Sequence, residues 1–268
     1  MARLAPAPGQ VGVLWFGQSG FALRFANATV LIDLFLSSHP DRLTPPIMNA
    51  GEMTGVDVIA CTHEHLDHLD LAALPAMAAA SPDAVVLVPS PIVEMVVAAG
   101  VPSRRVVGLQ PGLPFETHGL MIDGVPARHA VHAADAYDFG QKVSGGAVRF
   151  LGYVIDTGSL AVYHAGDTIA YQELAGHLRS HQVGIAFLPI NGRDSRRESF
   201  DIVGNLSPKE AAQLVRSAEI PVVVPMHYDM FAANLGSPGQ LVHELLPDSS
   251  CTVVVPALGR PFLLGSRR

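Results

Sequence analysis

The chain has 268 residues, 49% of them hydrophobic and 15% charged, with a formal net charge of -7. This composition supports a sizeable core and excludes a disordered chain, and the acidic balance argues against a general nucleic-acid binder, which needs a basic face. Cys61 and Cys251 are too few for a disulfide framework and point to a reduced, cytoplasmic setting. In chain order, residues 11–16 read as a first strand, followed by a turn at Gly17-Gln18-Ser19-Gly20. Residues 21–25 and 29–33 read as two more strands turning at Asn27. Asp33 ends a buried strand and is either a strand-end cap or part of a site-facing edge. Residues 34–55, with Pro40, Pro45 and Pro46, are expected to be irregular, as a rim loop or a linker.

The apolar run at 56–61 reads as a buried strand and residues 69–80 as a helix. Between them lies His63-Glu64-His65-Leu66-Asp67-His68, which places three imidazoles and a carboxylate on a strand-to-helix loop. Side chains two apart in an extended loop point the same way, so His63 and His65 can grip one ion. Asp67 and His68 follow one turn later and can hold a second. Imidazole suits zinc, iron and manganese, and a carboxylate adds hard oxygen character.

Further along, a strand is expected at 85–88, a helix at 92–99, and strands at 106–107 and 120–122. The apolar region 84–101 is broken by Pro89, Pro91, Glu94 and Gly100, so it predicts no membrane span, and residues 1–8 lack the apolar core of a signal peptide. His129 and His132 follow the next strand. Residues 148–155 and 160–163 suggest a hairpin, leading to His164-Ala165-Gly166-Asp167-Thr168. Asp167 is either a site carboxylate or the cap of a helix expected near 171–178, and His164 reads as a packed strand-end residue. A buried strand at 183–188 runs into Asn191 and a loop with Arg193, Arg196 and Arg197, side chains that can fork onto phosphate or simply face solvent. Ser207-Pro208-Lys209-Glu210 has the form of a capping box, and Ser237-Pro238-Gly239-Gln240 repeats it. Between these two helices a strand at 221–226 delivers His227, and residues 251–255 read as the closing strand. Strands first, then strand–helix alternation, predict a layered α/β architecture.

The motif at 63–68, Gly17-Gln18-Ser19-Gly20-Phe21, Gly166-Asp167 and the strand-end His227 together resemble the metallo-β-lactamase-fold hydrolases, over residues 11–256. Leu14-Trp15-Phe16-Gly17-Gln18-Ser19-Gly20, Thr62-His63-Glu64-His65-Leu66-Asp67-His68-Leu69-Asp70, Tyr163-His164-Ala165-Gly166-Asp167 and Pro225-Met226-His227-Tyr228-Asp229-Met230-Phe231 are most similar to the L-ascorbate-6-phosphate lactonase-like branch. The resemblance implies one domain over 1–268 with a four-layer αβ/βα sandwich and a site at one edge between two sheets. It also implies two divalent ions, zinc or manganese. One would be held by His63, His65 and a third His, the other by Asp67, His68 and His227, with Asp167 between them. Pro-Ala-Arg-His favours His129 as the third His, whereas His-Ala-Ala-Asp-Ala-Tyr-Asp favours His132. The reading adopted has His129 as the ligand and His132 in a supporting or substrate role.

The implied chemistry is hydrolysis of a small, anionic ester or sugar lactone by a metal-bridged hydroxide, with Asp67 orienting the water or accepting its proton. Asn191, Arg193 and Tyr228 are the candidates for touching substrate. Tyr228 and Phe231 stand where the lactonase has a His and a Trp, and the stretch between Asp138 and Gly152 is shorter, which leaves the particular substrate open. No nucleic-acid partner is implied, and a homo-oligomer is compatible with the pattern. The alternatives are a metallo-phosphodiesterase, a non-catalytic metal-binding protein, and a di-iron oxidoreductase, which would need a flavin-binding partner domain.

Overall fold

Two seven-stranded sheets lie face to face in the computed structural model, which describes residues 4–138, 147–246 and 250–265. The first sheet opens with an antiparallel meander of β1 (Gln10–Trp15), β2 (Phe21–Arg24) and β3 (Thr29–Ile32). It continues in parallel through β4 (Val58–Ala60), β5 (Val85–Pro89) and β6 (Val106–Leu109). The second sheet repeats this plan. β7 (Phe115–Thr117), β8 (Leu120–Pro126), β9 (Leu151–Asp156) and β10 (Ala161–His164) are antiparallel. β11 (Val183–Pro189), β12 (Val222–Met226) and β13 (Thr252–Val253) follow in parallel. The last strand, β14 (Phe262–Gly265), returns to pair with β1.

Strand periodicity explains the layering. Val11, Val13 and Trp15 face the core between the sheets, while Leu14 and Phe16 face a second core. That second core is closed by α1 (Leu74–Ala80) and α2 (Val93–Ala98) through Leu74, Met77 and Val96. On the far side, α3 (Leu174–Ser180), α5 (Pro208–Ser217) and α6 (Pro238–Leu245) bury Leu174, Leu178, Leu214 and Leu241. Helix, sheet, sheet, helix is the four-layer αβ/βα sandwich. Each fully buried aromatic, such as Phe21 or Phe187, contributes about 2 kcal/mol by leaving water. Parallel strands covered on both faces put their loops at one edge, and that edge collects the polar residues. No helix among the described residues is long and apolar enough to cross a membrane.

Some local features depart from the sequence reading. The helix after the 63–68 loop begins at Leu74 rather than at 69, because the Asp70 carboxylate accepts from the backbone N–H of Leu36, Ser37 and Ala73 and holds a turn there. The box at Ser207 is formed, with Glu210 reaching back. Ser237, however, makes no side-chain cap bond, because the N–H of Gln240 goes to its carbonyl instead. Strand β7 and the short helix α4 (Ser195–Ser199) were not expected. Nor does Thr252–Val253 close the fold: β14 lies beyond it and was missed because its residues are only half-buried. The Asp138–Gly152 stretch falls largely outside the described residues.

Candidate metal centre

The centre is built on the ends of five strands. β3 delivers Asp33, whose Oδ1 accepts from Thr62 N (2.8 Å) and whose Oδ2 accepts from Thr62 Oγ1 (2.7 Å). This fixes the exit from β4. His63 Nε2 then lies 3.0 Å from His65 Nδ1, and the loop turns back through the bond from His68 N to His65 O. Asp33 Oδ2 also sits 2.7 Å from His68 Nδ1, leaving Nε2 as that ring's inward-facing atom. A carboxylate behind an imidazole sets its tautomer and raises its basicity. Asp33 is thus a buried partner of this loop, which resolves the open alternative for it.

The second sheet supplies its residues one strand at a time. His129 follows β8, and its Nε2 lies 3.2 Å from His65 Nδ1. Asp167 follows β10. Its neighbour Gly166 has φ +57°, and a Cβ there would meet Thr62 Cβ at 2.8 Å, so only glycine lets this loop approach the first sheet. Asp167 does not cap a helix, since α3 begins only at Leu174. Its Oδ1 is 3.3 Å from His68 Nε2, and its Oδ2 is 3.2 Å from His227 Nε2 and 3.6 Å from His129 Nε2. His227 follows β12 with a left-handed φ of 57° and is held by the bond from its N–H to Gln18 O at 3.1 Å. Strain of roughly 1–3 kcal/mol at a non-glycine residue of this kind is a common feature of functional sites.

Two groups of donors result: His63, His65, His129 and Asp167, and beside them Asp67, His68 and His227, with donor atoms within 4.8 Å of one another in each group. The first group fits a transition ion. At metal–nitrogen bonds of about 2.1 Å, tetrahedral ligands stand roughly 3.4 Å apart, close to the observed 3.0 and 3.2 Å. His68 Nε2 and Asp167 Oδ1 are buried with no hydrogen-bond partner, as donors awaiting a cation would be.

Electrostatics separates the groups. Burial holds His63 well below the ordinary imidazole range, helped by its neighbours His68, His65 and His129, and burial brings His129 down to about 3. Both are neutral and ready to ligate. Burial would lower His227 too, but Asp167 and Asp67 outweigh it and push the ring up to about 9. His68 is raised by Asp167, Asp67 and Asp33 against the same penalty. The second group therefore favours positive charge, which a divalent ion can supply in place of protons.

The other predicted residues belong to neither donor group. The His132 side chain is 62% exposed and pairs with Asp201 at 2.7 Å, apart from the two groups. Asn191 is buried, bonded to Asn234 and Asn205. The Arg193 guanidinium is forked onto Glu210 at 2.6 and 2.8 Å. Tyr228 packs against Trp15 with ring centroids 5.3 Å apart. His164 is fully buried, its Nε2 2.8 Å from Ser19 O. Sequence reasoning gave no role to Gln18, whose Nε2 is 2.8 Å from Asp67 Oδ2, nor to Glu64, which pairs with Arg149. A polar side chain in a turn straight after an apolar strand was the available signal for Gln18.

Comparison with known proteins identifies the family. The model of the beta-lactamase superfamily domain matches residues 28–228. A metal-dependent hydrolase of Myxococcus xanthus, of the family designated UPF0173, is 31% identical over 96% of this chain and 85% of its own. The chain belongs to this metal-dependent hydrolase family of the metallo-β-lactamase superfamily. A Salmonella paratyphi B protein named "Probable L-ascorbate-6-phosphate lactonase" is more distant, at 25% identity over 88% of this chain and 74% of its own. A metallo hydrolase from Ignicoccus hospitalis shares the fold with a TM-score of 0.73 and 22% identity, over 96% of this chain and all (100%) of its own. The protein is accordingly a metal-dependent hydrolase, with a His/Asp cluster able to bind metal.

Proposed function

We propose that this hydrolase works with two divalent ions, zinc or manganese, on a small carboxylic ester or sugar lactone. The observation that carries the reading is Asp167, whose two oxygens lie within 3.6 Å of His68, His129 and His227 and so touch both donor groups. His63, His65 and His129 would hold one ion and Asp67, His68 and His227 the other. Bound ions of this kind polarise a carbonyl and lower the pKa of water toward neutrality.

The chain's own residues do the rest. Asp67, kept ionised by His68 and His227 despite its burial, orients the attacking water and accepts its proton. Asp167 neutralises charge between the donor groups. His132, raised in pKa by Asp201 and exposed three residues after His129, is assigned to the substrate side. Tyr228 and Asn191 shape the neighbouring wall. Arg193 is assigned no grip on an anion, because Glu210 already neutralises it.

The test is elemental analysis of protein purified without added metal, with lactone, ester and phosphodiester assays on the same sample. About two transition ions per chain, with ester or lactone hydrolysis lost on chelation and restored by zinc or manganese, is the expected result. Fully folded protein that takes up no metal at neutral pH would overturn the reading. A clear preference for phosphodiesters would move the substrate class.

A further inference from the structure

Gln18 lies in the turn after β1, 1% exposed, with a left-handed φ of 52°. Its backbone is pinned from three sides. The N–H donates to Asp229 Oδ1 at 2.8 Å, and the carbonyl accepts from Trp15 Nε1 and from His227 N, both at 3.1 Å. This clamp aims the side chain at the second donor group. There the amide Nε2 is 2.8 Å from Asp67 Oδ2 and 3.2 Å from His227 Nε2, and those two atoms are 3.4 Å from each other.

A triangle with these edges is what three donors on one cation produce. With ligand bonds of about 2.1 Å, adjacent donors are roughly 3.0 Å apart in an octahedron and roughly 3.4 Å apart in a tetrahedron. As placed, Nε2 donates a hydrogen bond to Asp67 Oδ2, and the corner it fills also has the spacing of a ligand position. The other end of the amide, Oε1, is buried and accepts no hydrogen bond. Half a turn of the amide exchanges nitrogen and oxygen without changing its shape. An amide oxygen 2.8 Å from a carboxylate oxygen is repelled unless a cation holds both.

We propose that Gln18 is a further ligand of the second ion, presenting its amide oxygen beside Asp67, His68, His227 and Asp167. The proposal rests on the two-ion reading above. It gives the second site three oxygen donors against two nitrogens, while the first site has three imidazoles. Harder cations such as manganese then favour the second site, and zinc suits the first.

The experiment is a titration of metal-free protein with manganese and with zinc against a competing chelator, for the wild type, Gln18→Leu and Gln18→Glu. Occupancy of the first site reports folding in each. The expected result is two ions in the wild type, with the second weakened in Gln18→Leu by more than the roughly hundredfold that loss of an outer partner costs. Gln18→Glu, which keeps an oxygen but loses the N–H, should hold both. Unchanged affinity in Gln18→Leu overturns the proposal. So does equal weakening in Gln18→Glu, which would show that an N–H bond to Asp67 is what matters. If Gln18→Leu does not fold, the manganese EPR spectrum decides, because it should change between wild type and Gln18→Glu only if this side chain coordinates. Fewer than two ions in the wild type would defeat the two-ion reading itself, before any variant is compared.

Discussion

The two sheets share a plan but feed the centre differently. The first sheet delivers His63, His65, Asp67 and His68 from one loop after β4, so close spacing in the chain brings them together, with Asp33 at the end of β3 bracing the loop. The second delivers His129, Asp167 and His227 singly, after β8, β10 and β12, and these meet only because three strands end at the same edge. Asp167 is where the two modes join, since it reaches His68 from the first sheet and His129 and His227 from the second. The difference shows that a contiguous motif can fix one half of a centre while strand order fixes the other.

The largest test of that comparison is Asp167→Ala against His63→Ala. On the two-ion reading, losing Asp167 should weaken both sites, so that metal content falls toward zero and hydrolysis drops by more than the roughly hundredfold typical of an outer partner. His63→Ala should empty only the first site. Equal metal loss in the two variants, measured by elemental analysis, would show that Asp167 has no joining role.

Of intermediate size is Gly166→Ala. The left-handed φ and the 2.8 Å approach to Thr62 should make this variant less stable by on the order of 1–3 kcal/mol. Thermal melting reads this directly, and a melting point within a degree of the wild type would mean that the sheets can part at this point without cost.

The smallest effect concerns the brace that holds a loop of the second sheet. Burial alone would raise Glu210, but its bonds from Arg193 and Ser207 outweigh this and hold its carboxyl below the ordinary value of 4.5. A depressed carboxylate contributes stability above its unfolded pKa, and that contribution is lost as pH falls through the folded value. The wild type should therefore lose a little more stability than Glu210→Gln between about pH 5 and pH 3. The partly exposed pair limits this to a few tenths of a kcal/mol, on the order of a screened surface ion pair. Parallel pH–stability curves for the two proteins would remove Glu210 from the acid response.

The sequence by itself determined most of the strands, the capping box at Ser207 and the whole first-sheet cluster. Period-2 burial and close spacing are local properties that a chain carries with it. It also marked Asp167 and His227 as strand-end residues, and the comparisons bear out the superfamily that these implied. Only the tertiary structure decided that His129 rather than His132 joins His63 and His65, that Asp33 stands behind His68, that Gln18 reaches Asp67, and that Arg193 is already taken by Glu210. Each of these is a contact between residues at least 17 apart in the chain. No local preference encodes such a meeting, which exists only when packing of the two sheets brings their edges together.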